Sequence, residues 1–177
     1  MKYLPFENYT LLTKLSSEEI KKRLAENLVA KRKGLSFLSL DNRAIRPYEG
    51  EIIEDTFSIN RIINYRNSFL PMITGSISKP YGKTEIAIKM RPALFTLIFI
   101  AFWLGIVGMV CIAILIIGII KISSIHLSEI SPLLLIPFGM FIFGCALSII
   151  PFKIESKKSK EFLQLLFQAE EADVDIS

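Results

Sequence analysis

The side chains best suited to chemistry lie between positions 49 and 68. Glu49, Glu51, Glu54 and Asp55 crowd together, and Asn60, Arg61, Asn64, Arg66, Asn67 and Ser68 follow. The carboxylates could hold a cation, but Arg43, Arg46 and Arg61 stand close in sequence, so a solvated ion-pair network is the favoured reading. The second group offers guanidinium forks and carboxamides, which suit a phosphate or a lipid headgroup. The same residues would also serve as a polar sheet face with Asn67-Ser68 as a structural turn, and that plainer reading has the greater weight. Catalytic constellations are missing. His126 is the single histidine, Cys111 and Cys145 lie in apolar segments, and a Ser/His or Cys/His centre therefore lacks its base. No His/Cys cluster has zinc spacing, and no glycine pattern for nucleotide phosphates occurs. We therefore expect a non-enzymatic chain with no metal and no cofactor.

These residues must be positioned by a chain of uneven composition. The first 92 residues hold sixteen Lys or Arg against ten Asp or Glu, whereas residues 93–152 hold only Lys121, Glu129 and His126 among Lys, Arg, Asp, Glu and His. Ala93–Ile120 runs without a charge, and Leu133–Phe152 is a second such run. Each meets the ~20 apolar residues that a bilayer crossing needs. In lipid a backbone must satisfy its own hydrogen bonds, so both segments are expected to be helices. The expected division is a domain over 1–92, a transmembrane hairpin over 93–152 and a helical tail over 153–177. Within the hairpin, the spans are 93–120 and 133–152 and the far-side loop is 121–132. Pro137 should kink the second span by removing a backbone donor. Trp103 reads as a packing or lipid-facing residue, and none of the glycines forms the G-x-x-x-G spacing. At ~1.5 Å per residue Cys111 lies about 27 Å and Cys145 about 9 Å from the cytoplasmic entry, too far apart to pair. No Asp, Glu, Lys or Arg lies within either span, which argues against a monomeric transporter or pump.

Orientation follows from the flanks. Lys83, Lys89 and Arg91 precede the first span, and Lys153, Lys157, Lys158 and Lys160 follow the second, against Lys121 alone in the connecting loop. The positive-inside rule then puts both termini in the cytoplasm and the chain in the cytoplasmic (inner) membrane. No secretory signal is expected at the start of the chain, since Pro5, Glu7 and Asn8 interrupt any apolar run. Lys89, Arg91, Lys153, Lys157, Lys158 and Lys160 form the expected membrane-surface set, and anionic lipid is favoured over nucleic acid as their partner.

The remainder reads as α+β: an N-terminal helix, a small antiparallel β domain, the two-helix hairpin and a short C-terminal helix. Ser16–Lys33 carries a Ser16/Glu19 capping box and ends on a basic turn before Gly34. Ile20, Leu24, Ala25, Leu28 and Val29 share one helical face. Strands are expected at Leu35–Leu40, Gly50–Asp55, Phe57–Arg66, Ser68–Ser78 and Thr84–Met90. Pro71 points to an edge position or a bend for the fourth, and Pro80-Tyr81-Gly82 to the turn before the last. In the tail, Phe162, Leu165, Leu166 and Ala169 make an apolar face for the β domain or a second subunit.

The string Tyr65-Arg66-Asn67-Ser68-Phe69-Leu70-Pro71, with Gly75 and Met90-Arg91-Pro92, resembles an uncharacterised group of small bacterial two-span membrane proteins over Gly50–Trp103. That group implies no activity. In architecture alone the chain is similar to the two-span, β-rich membrane effectors of bacterial anti-phage systems, whose hairpin precedes the β domain where this one follows it. The expected function is a partner- or ligand-binding cytoplasmic domain, the ligand anionic or phosphate-containing, with the hairpin as anchor or homo-oligomerising element. The alternatives are a ligand-controlled, pore-forming membrane effector and, least favoured, a lipid headgroup enzyme.

Overall fold

A computed structural model describes residues 4–30, 46–120 and 132–172. The chain divides into two compact units, Met1–Ala93 with Pro151–Ser177, and Leu94–Ile150. The architecture is α+β, with a seven-stranded sheet and three helices, two of them long and apolar.

The sheet is built from β1 (Glu7–Thr13), β2 (Leu28–Ala30), β3 (Tyr48–Ile53), β4 (Thr56–Arg61), β5 (Met72–Ser78), β6 (Thr84–Arg91) and β7 (Glu170–Glu171), in the order β2-β3-β4-β5-β6-β1-β7. All pairs are antiparallel except β2 with β3, so the expectation of a purely antiparallel sheet needs that correction. Period-two alternation places Tyr9, Leu11, Tyr48, Phe57, Ile59, Ile73, Ile77, Ile86, Ile88 and Met90 on one buried face. The opposite face carries Glu51, Ser58, Thr74 and Lys89 in a single cross-strand row.

Several expected boundaries move. Helix α1 is Ser17–Glu26, not Ser16–Lys33; Ser16 caps it by accepting the Glu19 N–H at 3.2 Å, and Asn27 closes it. Leu28 and Val29 then leave the helical face for β2, because the parallel pairing with Tyr48 and Glu49 gives their backbone groups a ladder. The Leu35–Leu40 strand lies outside the described residues. β4 ends at Arg61 rather than at Arg66, with the Ile62 N–H turned to the Pro47 carbonyl at 2.9 Å. β5 begins at Met72 and lies between β4 and β6, so it is no edge: Pro71 precedes the strand, where its missing donor interrupts no ladder. β1 went unrecognised in the sequence, although Tyr9, Leu11 and Thr13 alternate inward along it.

Two helical segments cover the buried face. α1 contributes Ile20 and Leu24, and the end of α3 (Ile136–Phe167) contributes Leu163 and Phe167, each no more than 1% exposed. The expected tail helix is thus the continuation of α3. Its inward face uses Phe152, Leu163 and Phe167, with Phe162 and Leu166 packed alongside, while Leu165 is 79% exposed. The helix ends in a Schellman turn: Ala169 N–H reaches the Gln164 carbonyl at 3.0 Å and Gln168 N–H the Leu165 carbonyl at 3.3 Å, with Gln168 at φ 47°. The Thr13 hydroxyl donates to the Phe167 carbonyl at 2.7 Å, so β1 caps the same helix end.

The second unit holds α2 (Leu94–Ile120) and the first part of α3. Mean hydropathies of 2.9 and 2.5, with only 11% of each apolar window buried, describe helices long and apolar enough to cross a membrane. They approach closely at Gly144, where an added Cβ would lie 3.0 Å from Leu104 Cδ2 and 3.7 Å from the Trp103 ring. Pro137 is the second residue of α3, following a 3-10 turn at Pro132–Leu135, so it initiates the helix instead of kinking it. The proline inside α3 is Pro151. Cys111 and Cys145 are both free.

Two substitutions test this packing. A methyl at Gly75 would penetrate the Phe57 ring that lies over it, so Gly75→Ala should lower unfolding stability by about 1–3 kcal/mol, read by denaturant titration in detergent. Gln168→Gly removes the strain of a left-handed side-chain-bearing residue and should raise stability by about 0.5–1 kcal/mol in the same titration.

Candidate functional site

The six residues singled out around position 60 do not form one surface. Asn60 and Arg61 are successive strand residues and point to opposite faces of the sheet. Asn67 is used locally, its Oδ1 accepting the Phe69 N–H at 2.9 Å while its carbonyl accepts from Leu70 at 3.2 Å. Asn64, Arg66 and Ser68 are exposed on the segment between β4 and β5. Of the six, Arg61 enters the interior.

There Arg61 meets a residue the sequence reading passed over. Glu155 lies on the part of α3 that packs against the sheet, and its side chain is 2% exposed. Arg61 Nη1 donates to Oε2 at 2.5 Å, the Tyr65 hydroxyl to Oε1 at 2.5 Å, and Lys158 Nζ to Oε1 at 3.0 Å. Burial alone pushes the Glu155 carboxyl up. The hydrogen bonds from Tyr65, Lys158 and Arg61, with the Arg61 charge, outweigh burial and hold it below its ordinary range. Glu155 in turn raises the Tyr65 phenol through their hydrogen bond.

The surroundings are polar but closed. The Tyr48 ring stacks on Phe162 at 4.7 Å between centroids, and its hydroxyl faces Ser159. The Ser156 and Ser159 hydroxyls are buried beside Glu155 in sequence. A signal for this face was present: Phe152, Glu155, Ser156, Ser159 and Leu163 recur at helical spacing, with one acid among lysines. Chemically, a carboxylate already holding donors from Arg61, Tyr65 and Lys158 is a poor base. The cluster ties α3, β4 and the β4–β5 segment together.

The lysines after the second apolar run are similarly committed. Lys153 Nζ lies 2.7 Å from Glu7 and Lys160 Nζ 2.6 Å from Glu171, and Lys160 also stands 4.8 Å above the Tyr9 ring. Lys157 is 80% exposed and reaches Glu161 only at 4.0 Å. Lys89 and Arg91 are exposed and have no carboxylate partner among the described residues. The acidic group disperses too. Asp55 pairs with Lys21 at 2.9 Å, while Arg46 donates to the Leu28 carbonyl at 2.8 Å, so the expected network with Arg46 and Arg61 does not form. Arg43 lies outside the described residues. Among the described residues no His, Cys, Asp or Glu group could hold a metal ion.

The open sheet face carries a shallow concavity of about 310 Å³, lined by Glu51, Thr56, Ser58, Thr74, Ser76 and Lys89 together with the apolar Ile53, Phe57, Gly75 and Ala87. No described helix of this unit covers it. No protein family, curated protein or solved structure matches the chain.

Removing the buried carboxylate strands its donors, so Glu155→Ala should cost about 2–3 kcal/mol in unfolding stability. Glu155→Gln, which retains an acceptor, should cost less. Because the folded carboxyl holds its proton less tightly than the unfolded one, its contribution is whole above the ordinary value of 4.5 and fades as pH falls through the lower folded value. Denaturant titrations from neutral pH to below that range should show a steeper acid loss for the wild-type chain than for Glu155→Gln.

Proposed function

We propose that the chain is a two-pass membrane protein that holds a β-rich domain at the cytoplasmic surface of the inner membrane, where the open sheet face receives a partner or regulatory ligand. The observation that carries this reading is the contrast within the hairpin unit. Its helices have mean hydropathies of 2.9 and 2.5, yet only 11% of each apolar window is buried. Each large apolar side chain left in water forfeits about 1.5–3 kcal/mol relative to burial, so Phe95, Ile98, Phe102, Ile119 and Phe143, all more than half exposed, call for lipid around them.

Chain connectivity supports the topology. Residues on both sides of 94–150 belong to one compact unit, so the two ends of an inserted hairpin would lie on one side of the bilayer. The basic flanks favour the cytoplasmic side. The absence of charged residues within the apolar runs supports an anchor or oligomerising role over substrate passage. On the domain, the open face offers the Ser58 and Ser76 hydroxyls and the opposite charges of Glu51 and Lys89, while the Thr56 and Thr74 hydroxyls donate to the Ile53 and Lys89 carbonyls.

Membranes containing the chain should retain it through alkaline carbonate and high-salt washes; release into the supernatant would overturn the insertion. In a chain carrying Cys111→Ser and Cys145→Ser, an impermeant maleimide added to intact cells stripped of their outer envelope should label His126→Cys and spare Lys79→Cys. The reverse labelling would invert the assigned orientation.

A further inference from the structure

The register of β1 against β6 sets Asn8 beside Lys89 and Glu7 beside Met90. Arg91 follows Lys89 by two residues along β6 and so shares that open face. Asn8, Lys89 and Arg91 are all exposed. Adjacent strands lie ~4.8 Å apart and alternate residues of one strand ~6.6 Å apart, so the three side chains occupy one small corner of the sheet. We propose that this corner binds the phosphate headgroup of an anionic phospholipid; the proposal rests on the hairpin being inserted in a bilayer.

Three observations carry it. First, the basic residues near the apolar helices divide into paired and open ones, with the exposed Lys157 among the open ones but on α3, away from this corner of the sheet. Lys153, Lys158 and Lys160 are taken by Glu7, Glu155 and Glu171 at 2.7, 3.0 and 2.6 Å. Lys89 and Arg91 have no such partner among the described residues, so their charge is available to an external anion. Second, the acids of the same face stand well off. Glu49 and Glu51 are on β3, three strands from β6 and so ~14 Å away, and Glu85 is four residues from Lys89 along β6, ~13 Å. Those separations exceed the ~8 Å screening length at physiological salt, so the corner keeps its positive potential.

Third, only Pro92 and Ala93 separate Arg91 from Leu94, the first residue of α2. At ~3.5 Å per residue, Arg91 is within about 11 Å of the start of the apolar helix, a reach comparable with the headgroup layer. A guanidinium fork and an ammonium are the groups that recognise a phosphate, and the Asn8 carboxamide adds a neutral donor.

The full chain reconstituted into nanodiscs of phosphatidylcholine mixed with phosphatidylglycerol, then released into native mass spectrometry, reads the lipids that stay bound. The wild-type chain should retain phosphatidylglycerol in preference to phosphatidylcholine. Lys89→Ala and Arg91→Ala should each weaken that retention about fivefold and together roughly twentyfold, while Lys79→Ala at the far turn leaves it unchanged. Equal retention of the two lipids by the wild-type chain, or undiminished phosphatidylglycerol on the double variant, would overturn the assignment. Carbonate extraction of the same preparations separates the cases: a chain that stays in the membrane without lipid preference defeats the headgroup site alone, and a chain that washes out defeats the membrane reading with it.

Discussion

The inner face of the sheet is a layer of Ile, Phe, Tyr and Leu that cannot be left in water, and much of its cover comes from residues that follow the apolar hairpin. Phe152, Leu163 and Phe167 are fully buried on a sheet whose other strands, apart from short β7, precede residue 92. Each such side chain contributes about 1.5–3 kcal/mol, so the domain is incomplete until α3 has been made and brought back. This closure constrains everything else: it makes the hairpin a loop within a continuous domain rather than an appendage, and it ties the two ends of 94–150 to one body.

Charge follows the same closure. A helix that begins apolar and ends on a sheet must carry its lysines somewhere, and three of the four Lys residues of this stretch meet carboxylates of the domain. Glu155 sits at the centre. It is nearly inaccessible and receives donors from β4, from the β4–β5 segment and from its own helix, which offsets the expense of desolvating its charge. The effect is a latch with directional bonds, added to an apolar contact that has little direction of its own.

How much of this was legible in the chain depends on the range of the interaction concerned. The charge-free helices were readable because their composition is a local property. The capping of α1 by Ser16 and the alternation in β6 were readable for the same reason. Pro137 misled because a proline is compatible with a first turn as well as with a kink, and only the position of the helix start separates the two. β1 was hidden by Pro5 and by polar Glu7, Asn8 and Thr10, which face away from the core or pair at its rim. The candidate surface at Asn60–Ser68 requires a strand that runs on to Arg66. Ending it at Arg61 scattered the set, and adjacent residues of a strand were bound in any case to face opposite ways.

By itself the sequence determined the helix-forming apolar runs, the surplus of basic residues around them and the alternating strands, because periodicity and local charge act over a few residues. The tertiary structure alone decided which lysines are spent on carboxylates and which remain open, and it alone revealed Glu155 as a buried anchor. Those outcomes depend on contacts between positions 61 and 155, or 7 and 153, and no local pattern encodes a partner ninety or more residues away.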